Sequence, residues 1–214
     1  MKRNTIEKFI EKLSSESPTP GGGGVAALNC AIASALALMV YNLTIDKKIF
    51  NNYDETIKTK LLTNFNELTV LQESFLDDIQ RDADDFLKLM ESYKLPKDTT
   101  EEKEFRSEKI QEGYLRAIAT PMALCEKSLK LYDYLEDSAN YGNPNVISDA
   151  AVGILNLYSA IQCSVINIKI NLKGVKNEVF VKEINEKLKQ ILSLNEEKKN
   201  SILKLSLNKI NIDI

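Results

Sequence analysis

One carboxylate stands where the sequence calls for a hydrocarbon. From Leu61 onward, Leu61, Phe65, Leu68, Gln72, Phe75, Ile79, Asp82, Phe86, Leu89 and Tyr93 follow one another at spacings of four and three residues. That alternation is the seam of a heptad helix, about 50 Å long at ~1.5 Å per residue. Asp82 falls on the seam between Ile79 and Phe86. An ionised carboxylate there loses its hydration, so its pKa rises unless a cation or several donors compensate. Two outcomes fit the spacing. Asp82 is either a bundle carboxylate satisfied by Lys, Arg or a helix N-terminus, or a general acid kept protonated near neutral pH.

Other candidates are less pointed. Gly22, Gly23 and Gly24 follow Pro20-Gly21 and open an alanine-rich segment. Free N–H groups at a helix start can receive an anion, and the same glycines also suit a tight entry turn. The segment lacks the GxxxxGK[ST] form of a nucleotide loop. Asn143, Ser148 and Asp149 cluster before a helix, where N-capping accounts for them. Asn167 and Asn171 lie one turn apart, and buried amides need partners from either a neighbouring helix or a polar heterocycle. Lys47 and Lys48 follow an apolar helix, where they can oppose its C-terminal dipole. Lys97 belongs to a polar corner, with Arg106 shortly after it.

Composition removes whole classes of chemistry. Histidine is absent, which excludes His-based acid–base catalysis, His-containing zinc sites and a Ser–His pair. The three cysteines, Cys30, Cys125 and Cys163, form no CxxC pair and are expected to be reduced and buried, in a cytoplasmic protein. No metal site is expected. A net charge of −3 without a basic stripe gives no nucleic-acid footprint. The N-terminus lacks the apolar run of a signal peptide. Val25 to Val40 carries no charge, but Asn29, Cys30 and Ser34 interrupt it. It falls short of the ~20 strongly apolar residues of a membrane span, so a buried core helix is expected and no membrane association.

The elements that must position these residues are all helical. Asn4 and Glu7 have capping-box spacing before a face of Ile6, Phe9, Ile10 and Leu13. Pro18, Pro20 and the glycines break the chain before a helix from about Val25. Its small residues Ala27, Ala31, Ser34 and Ala35 would admit a close neighbour, including one from a second subunit. The Asp82 helix ends at Leu95-Pro96. Thr99 and Glu102 open another, reaching about Glu136 and broken or kinked at Pro121. Tyr141-Gly142-Asn143-Pro144 turns into a heptad helix through Ile147, Ala151, Ile154, Tyr158, Ile161, Val165, Ile168 and Leu172, with Gly174 placed to cap it. A polar helix from about Glu178 to Lys209 follows. The expected fold is all-α, an up-and-down bundle of long helices that dimerises through helices, with residues 1–214 as one domain.

Read in order, SPTPGGGGVAAL at 17–28, YNLTIDKKIF at 41–50, DADDF at 82–86, LPKDTTEEKEFR at 95–106, TPMALCE at 120–126, YGNPNVISDAAV at 141–152 and INIKINL at 166–172 carry a resemblance. The chain resembles the cyclodeaminase domain of formiminotransferase-cyclodeaminase and the related stand-alone bacterial methenyltetrahydrofolate cyclohydrolases. The resemblance implies an all-helical homodimer with a folate site in the groove between subunits and no permanently bound cofactor. The implied substrate is a tetrahydrofolate derivative. The reaction ranked first is 5-formiminotetrahydrofolate to 5,10-methenyltetrahydrofolate and ammonia, and second is hydrolysis of the methenyl compound to the 10-formyl one. A reading from another class is a folate-binding or purely structural helical dimer without turnover, against which Asp82 speaks, since a scaffold would prefer an apolar residue on the seam. DADDF puts Asp82 on the family's proposed acid. The implied substrate-binding set is Gly22, Gly23, Gly24, Lys47, Lys48, Lys97, Arg106, Asn143, Ser148, Asp149, Asn167 and Asn171, the cations facing an anionic glutamate tail. Gly24 departs from the usual serine, and Asp85 from a usual small residue.

Overall fold

A computed structural model describes residues 5–212. Seven α-helices and one 3-10 turn make up the described chain: α1 (Ile6–Leu13), α2 (Gly22–Asn42), α3 (Lys48–Asn51), α4 (Glu55–Tyr93), α5 (Thr100–Tyr141), the turn Pro144–Val146, α6 (Ile147–Leu172) and α7 (Glu178–Lys209). No strand occurs among the described residues. Cross-bundle contacts give the helix directions. Asn64 of α4 reaches Tyr41 near the end of α2, whereas Asp82 lies against the start of α2. These two helices are therefore antiparallel. Lys60 meets Asp137 and Asp85 meets Thr120, so α5 runs against α4. Asn171 reaches Ala117 and Gly22 faces Asn167, so α6 opposes both α5 and α2. The core is thus an up-down-up-down four-helix bundle of α2, α4, α5 and α6. α7 packs against α5 and α6.

Several boundaries follow from local chemistry that overrides the periodic pattern. Thr5, not Asn4, caps α1, accepting from the Lys8 N–H at 3.2 Å; Asn4 lies outside the described residues. Only Phe9 of the expected α1 face is buried, while Ile6 and Ile10 are exposed. α2 starts at Gly22, so the glycines form its first turn instead of a preceding loop. Ala27, Ala31 and Ser34 face the protomer's own core, and the outward face of α2 carries Ile32, Ala35, Met39 and Leu43 instead. α2 and α6 are both long and apolar enough to cross a membrane, which corrects the length argument, yet 61% of the α2 window and 50% of the α6 window is buried in the bundle. The Thr99–Glu102 capping box is formed.

Pro121 does not break α5, which continues to Tyr141. Proline lacks the N–H that would bond the carbonyl four residues back, and the Asn171 side-chain amide donates to that Ala117 carbonyl at 3.2 Å. The α6 helix supplies what the proline removes. Gly174 is not a left-handed cap, since no glycine has positive φ among the described residues. Its lack of a side chain instead makes room for the ring of Tyr114. Cys30 and Cys125 are buried free thiols and Cys163 is half-buried. Burial pushes the first two up to about 12, which keeps them protonated and unreactive.

Candidate active site

Two carboxylates on the α4 and α5 helices are buried, and both are paired with cations. Asp78 is paired with Lys127 and, at 3.0 Å, with Arg81. Asp137 is paired with Lys60 at 2.6 Å and accepts from Asn64 at 2.8 Å. Asp82, one turn beyond Asp78, forms no ion pair among the described residues. Its carboxylate lies against the first turn of α2, where the Gly24 backbone N–H donates to it. A β-carbon at Gly23 would occupy the same space as the carboxylate. Glycine at this position is what allows the acid and the helix N-terminus to meet.

Burial raises the Asp82 pKa to about 6 from an ordinary 3.8. The Gly24 hydrogen bond pulls the other way, and the charge of Asp85 adds to the rise. A helix N-terminus does receive Asp82, but desolvation outweighs the donor.

Asp82 opens into a cavity of about 160 Å³ between the chain entering α2 and helices α4, α5 and α6. Pro18, Thr19 and Gly21 to Gly23 form one side, Asp82, Asp85 and Phe86 a second, Ala117 and Thr120 a third, and Asn167, Ile170 and Asn171 the fourth. The amide nitrogen of Asn167 donates to the Cys163 carbonyl at 2.8 Å, and that of Asn171 donates to Ala117 and Asn167. The neighbouring backbone is thus their partner, and their side-chain oxygens accept no hydrogen bond among the described residues. A β-carbon at Gly22 would stand 3.2 Å from the Asn167 amide.

The remaining sequence candidates lie elsewhere. Asn143 donates its side-chain amide to the Leu43 carbonyl at 3.2 Å, and its backbone N–H to Thr44 Oγ1 at 2.9 Å. It also caps the turn Pro144–Val146. With Ser148, Asp149, Lys47 and Lys48 it therefore belongs to the far end of α2, about 30 Å from Gly22. Lys97 is exposed on the corner between α4 and α5. Arg106 donates to the Tyr93 carbonyl at 3.1 Å and stacks 5.7 Å from the Tyr93 ring. This corner is about 16 Å along α4 from Asp82. Asp82, Gly22, Gly23, Asn167 and Asn171 are brought together, with Gly24 behind them, and the others are not.

Sequence reasoning missed Thr120, Ala117, Phe86 and Ile170 as lining residues. Phe86 shares the Asp82 seam and could have been read from it. Thr120 becomes visible only once α5 is paired antiparallel to α4. No group of three or more His, Cys, Asp or Glu side chains placed to hold a metal ion occurs among the described residues.

The family model described as formiminotransferase-cyclodeaminase matches residues 5–190. A methenyltetrahydrofolate cyclohydrolase from Methylorubrum extorquens is 38% identical over 189 residues, covering 88% of this chain and 89% of that protein. The formimidoyltransferase-cyclodeaminase of Mus musculus is 32% identical over 88% of this chain, which spans 34% of that longer protein. A crystal structure of formiminotetrahydrofolate cyclodeaminase from Thermotoga maritima superposes with a TM-score of 0.78 at 25% identity, covering 98% of this chain and 96% of that one.

Proposed function

The chain belongs to the formiminotransferase-cyclodeaminase family, and from that premise we propose that it is a formiminotetrahydrofolate cyclodeaminase with Asp82 as its general acid. The observation that carries this reading is the contrast between half-buried Asp82 and the two fully buried carboxylates. Asp78 and Asp137 have cations, and Asp82 has only a backbone donor and a cavity. A bundle that needed Asp82 only as structure would pair it or replace it with hydrocarbon.

The chemistry suits such an acid. N10 of the folate attacks the formimino carbon held on N5 as a protonated amidinium, forming the N10–C bond as the C=N π electrons pass to the nitrogen. The N10 proton must leave and the departing nitrogen must gain one. The C–N bond to that nitrogen then breaks, releasing ammonia and leaving the methenyl cation. Asp82 gives its proton to the departing amine and recovers one from N10, so the step balances with no enzyme nucleophile. Holding N10 against the carbon supplies much of the acceleration, and a positioned acid with a pKa near the working pH supplies more. The Asn167 and Asn171 oxygens are acceptors suited to N–H groups of a heterocycle.

A cavity of about 160 Å³ is smaller than the ~300–1,000 Å³ that encloses a drug-sized ligand, so it takes the reacting head group and leaves the rest of a folate outside. A second copy of the chain completes the site in this proposal. α2 is apolar on all sides, yet Ile32 and Met39 on α2 and Val152, Leu155, Ile166 and Ile170 on α6 are exposed in the protomer, Ile166 by 65%. A helix apolar all round belongs inside a larger core. An antiparallel copy packed on this face would carry its Lys47, Lys48 and Asn143 toward the cavity of the first.

Cyclohydrolase activity at the same site is the second reading, favoured by the 38% identity with a protein of that name along nearly its whole length. Offering 5-formimino- and 5,10-methenyltetrahydrofolate separately decides between them. Growth of the methenyl absorbance with ammonia release marks the cyclodeaminase, and enzyme-dependent decay of that absorbance alone marks the cyclohydrolase.

A further inference from the structure

The cavity contains a second carboxylate that the proton chemistry above does not use. Asp85 lies one turn after Asp82 on α4 and lines the same space. From the facing helix, Thr120 Oγ1 donates to Asp85 Oδ2 at 2.6 Å, fixing that carboxylate across the α4–α5 interface. Among the described residues, the only ionisable side chains lining the cavity are these two acids. Arg81 on α4 is turned to Asp78, and Arg116 on α5 pairs with Glu112 at 3.9 Å. The α2 and entry-chain side contributes only glycines, Pro18 and Thr19, and α6 contributes Asn167, Ile170 and Asn171.

A site of this polarity is built for a positively charged guest. Resting on the folate reading, we propose that Asp85, tethered by Thr120, is the fixed counter-charge for the cationic one-carbon unit, and that it selects ligands whose carbon bridge bears positive charge. The formimino group is an amidinium and the methenyl bridge an iminium, so both ends of the cyclodeaminase reaction carry the same charge. A formyl group on N5 is neutral. Asp82 and Asp85 thereby divide the work, one moving protons and the other facing the cation. The influence of Asp85 on Asp82 fits this division, because a nearby fixed anion helps keep the acid protonated.

The test compares two ligands that differ in the charge of this carbon. Binding of 5,10-methenyltetrahydrofolate and of 5-formyltetrahydrofolate is measured at mildly acidic pH, where the methenyl cation persists. An Asp82→Asn background slows turnover enough for binding to be read first. Adding Asp85→Asn, which keeps a partner for Thr120, should weaken the cation about tenfold or more and the neutral ligand less than about twofold. Thr120→Val, which frees the carboxylate, should weaken the cation in the same direction by a smaller factor. Equal losses for both ligands, or no loss for the cation, would overturn the counter-charge role while leaving the folate reading intact. If the parent protein binds neither ligand, the folate reading fails and this inference with it.

Discussion

Replacing Asp82 with Asn removes the charge while keeping the shape and an oxygen for the Gly24 N–H. In the folded protein Asp82 titrates at about 6 against an ordinary 3.8. The folded state therefore holds its proton to higher pH than the unfolded chain does. Stability falls as pH rises through that interval, because the unfolded chain releases the proton first. At about 1.4 kcal/mol per pH unit the gap is worth about 3 kcal/mol, and solvent at the open side of the cavity reduces this to about 2 kcal/mol. Asp82→Asn should match the parent near pH 4 and exceed it by about 2 kcal/mol at pH 7.5. Urea unfolding of both proteins at one fixed concentration, across this pH range, measures the difference directly. Every other titrating group cancels in the comparison. A difference independent of pH would refute the reasoning. A parent that gains on the variant as pH rises would show that the α2 N-terminus, not burial, dominates.

Three further outcomes follow from the geometry. Gly23→Ala should cost about 1–3 kcal/mol by forcing the Asp82 carboxylate aside, and Asp82→Ala in the same chain should restore most of that stability; additive losses would place the strain elsewhere. Lys97→Ala should raise KM more for a polyglutamylated than a monoglutamylated folate, with the gap shrinking in high salt, whereas Arg106→Ala, losing the Tyr93 contacts, should also lower the thermal midpoint; equal KM effects on both substrates would confine Lys97 to the corner. Leu155→Asp with Ile166→Asp should convert a dimer of twice 24.1 kDa into a helical monomer with little activity, read by sedimentation, and an unchanged mass would remove the α2–α6 face as the contact.

The bundle itself was legible because its signal is periodic. The α4 seam and the α6 seam each repeat over many turns, and burial of Leu61, Leu68, Phe75, Ile79 and Leu89, and of Ile147, Ile154, Ile161 and Ile168, follows the spacing. Asp82 was legible as the exception within such a repeat. The partners of Asp82 were not, because the fit of its carboxylate onto Gly23 and Gly24 depends on how α2 is placed against α4, which no local spacing encodes. Thr120 and Asp85 illustrate the same limit, lying 35 residues apart in sequence and 2.6 Å apart in space. Pro121 misled for a related reason. Its missing N–H is a local defect, but its repair by Asn171 comes from another helix. Asn143 and the Lys47–Lys48 pair share a motif-level likeness with the site, yet one protomer holds them at the other end of α2.

The central claim is that Asp82 moves the protons of the reaction, and turnover of 5-formiminotetrahydrofolate by the Asp82→Asn protein tests it most directly. Methenyl absorbance and released ammonia are followed together, beside helicity and substrate affinity for the same preparation. If Asp82 moves the protons, the variant is folded with near-normal affinity and its turnover is reduced by ~10²–10⁴, while the parent rate falls as pH rises through about 6. A folded Asp82→Asn protein that turns over at close to the parent rate would contradict it.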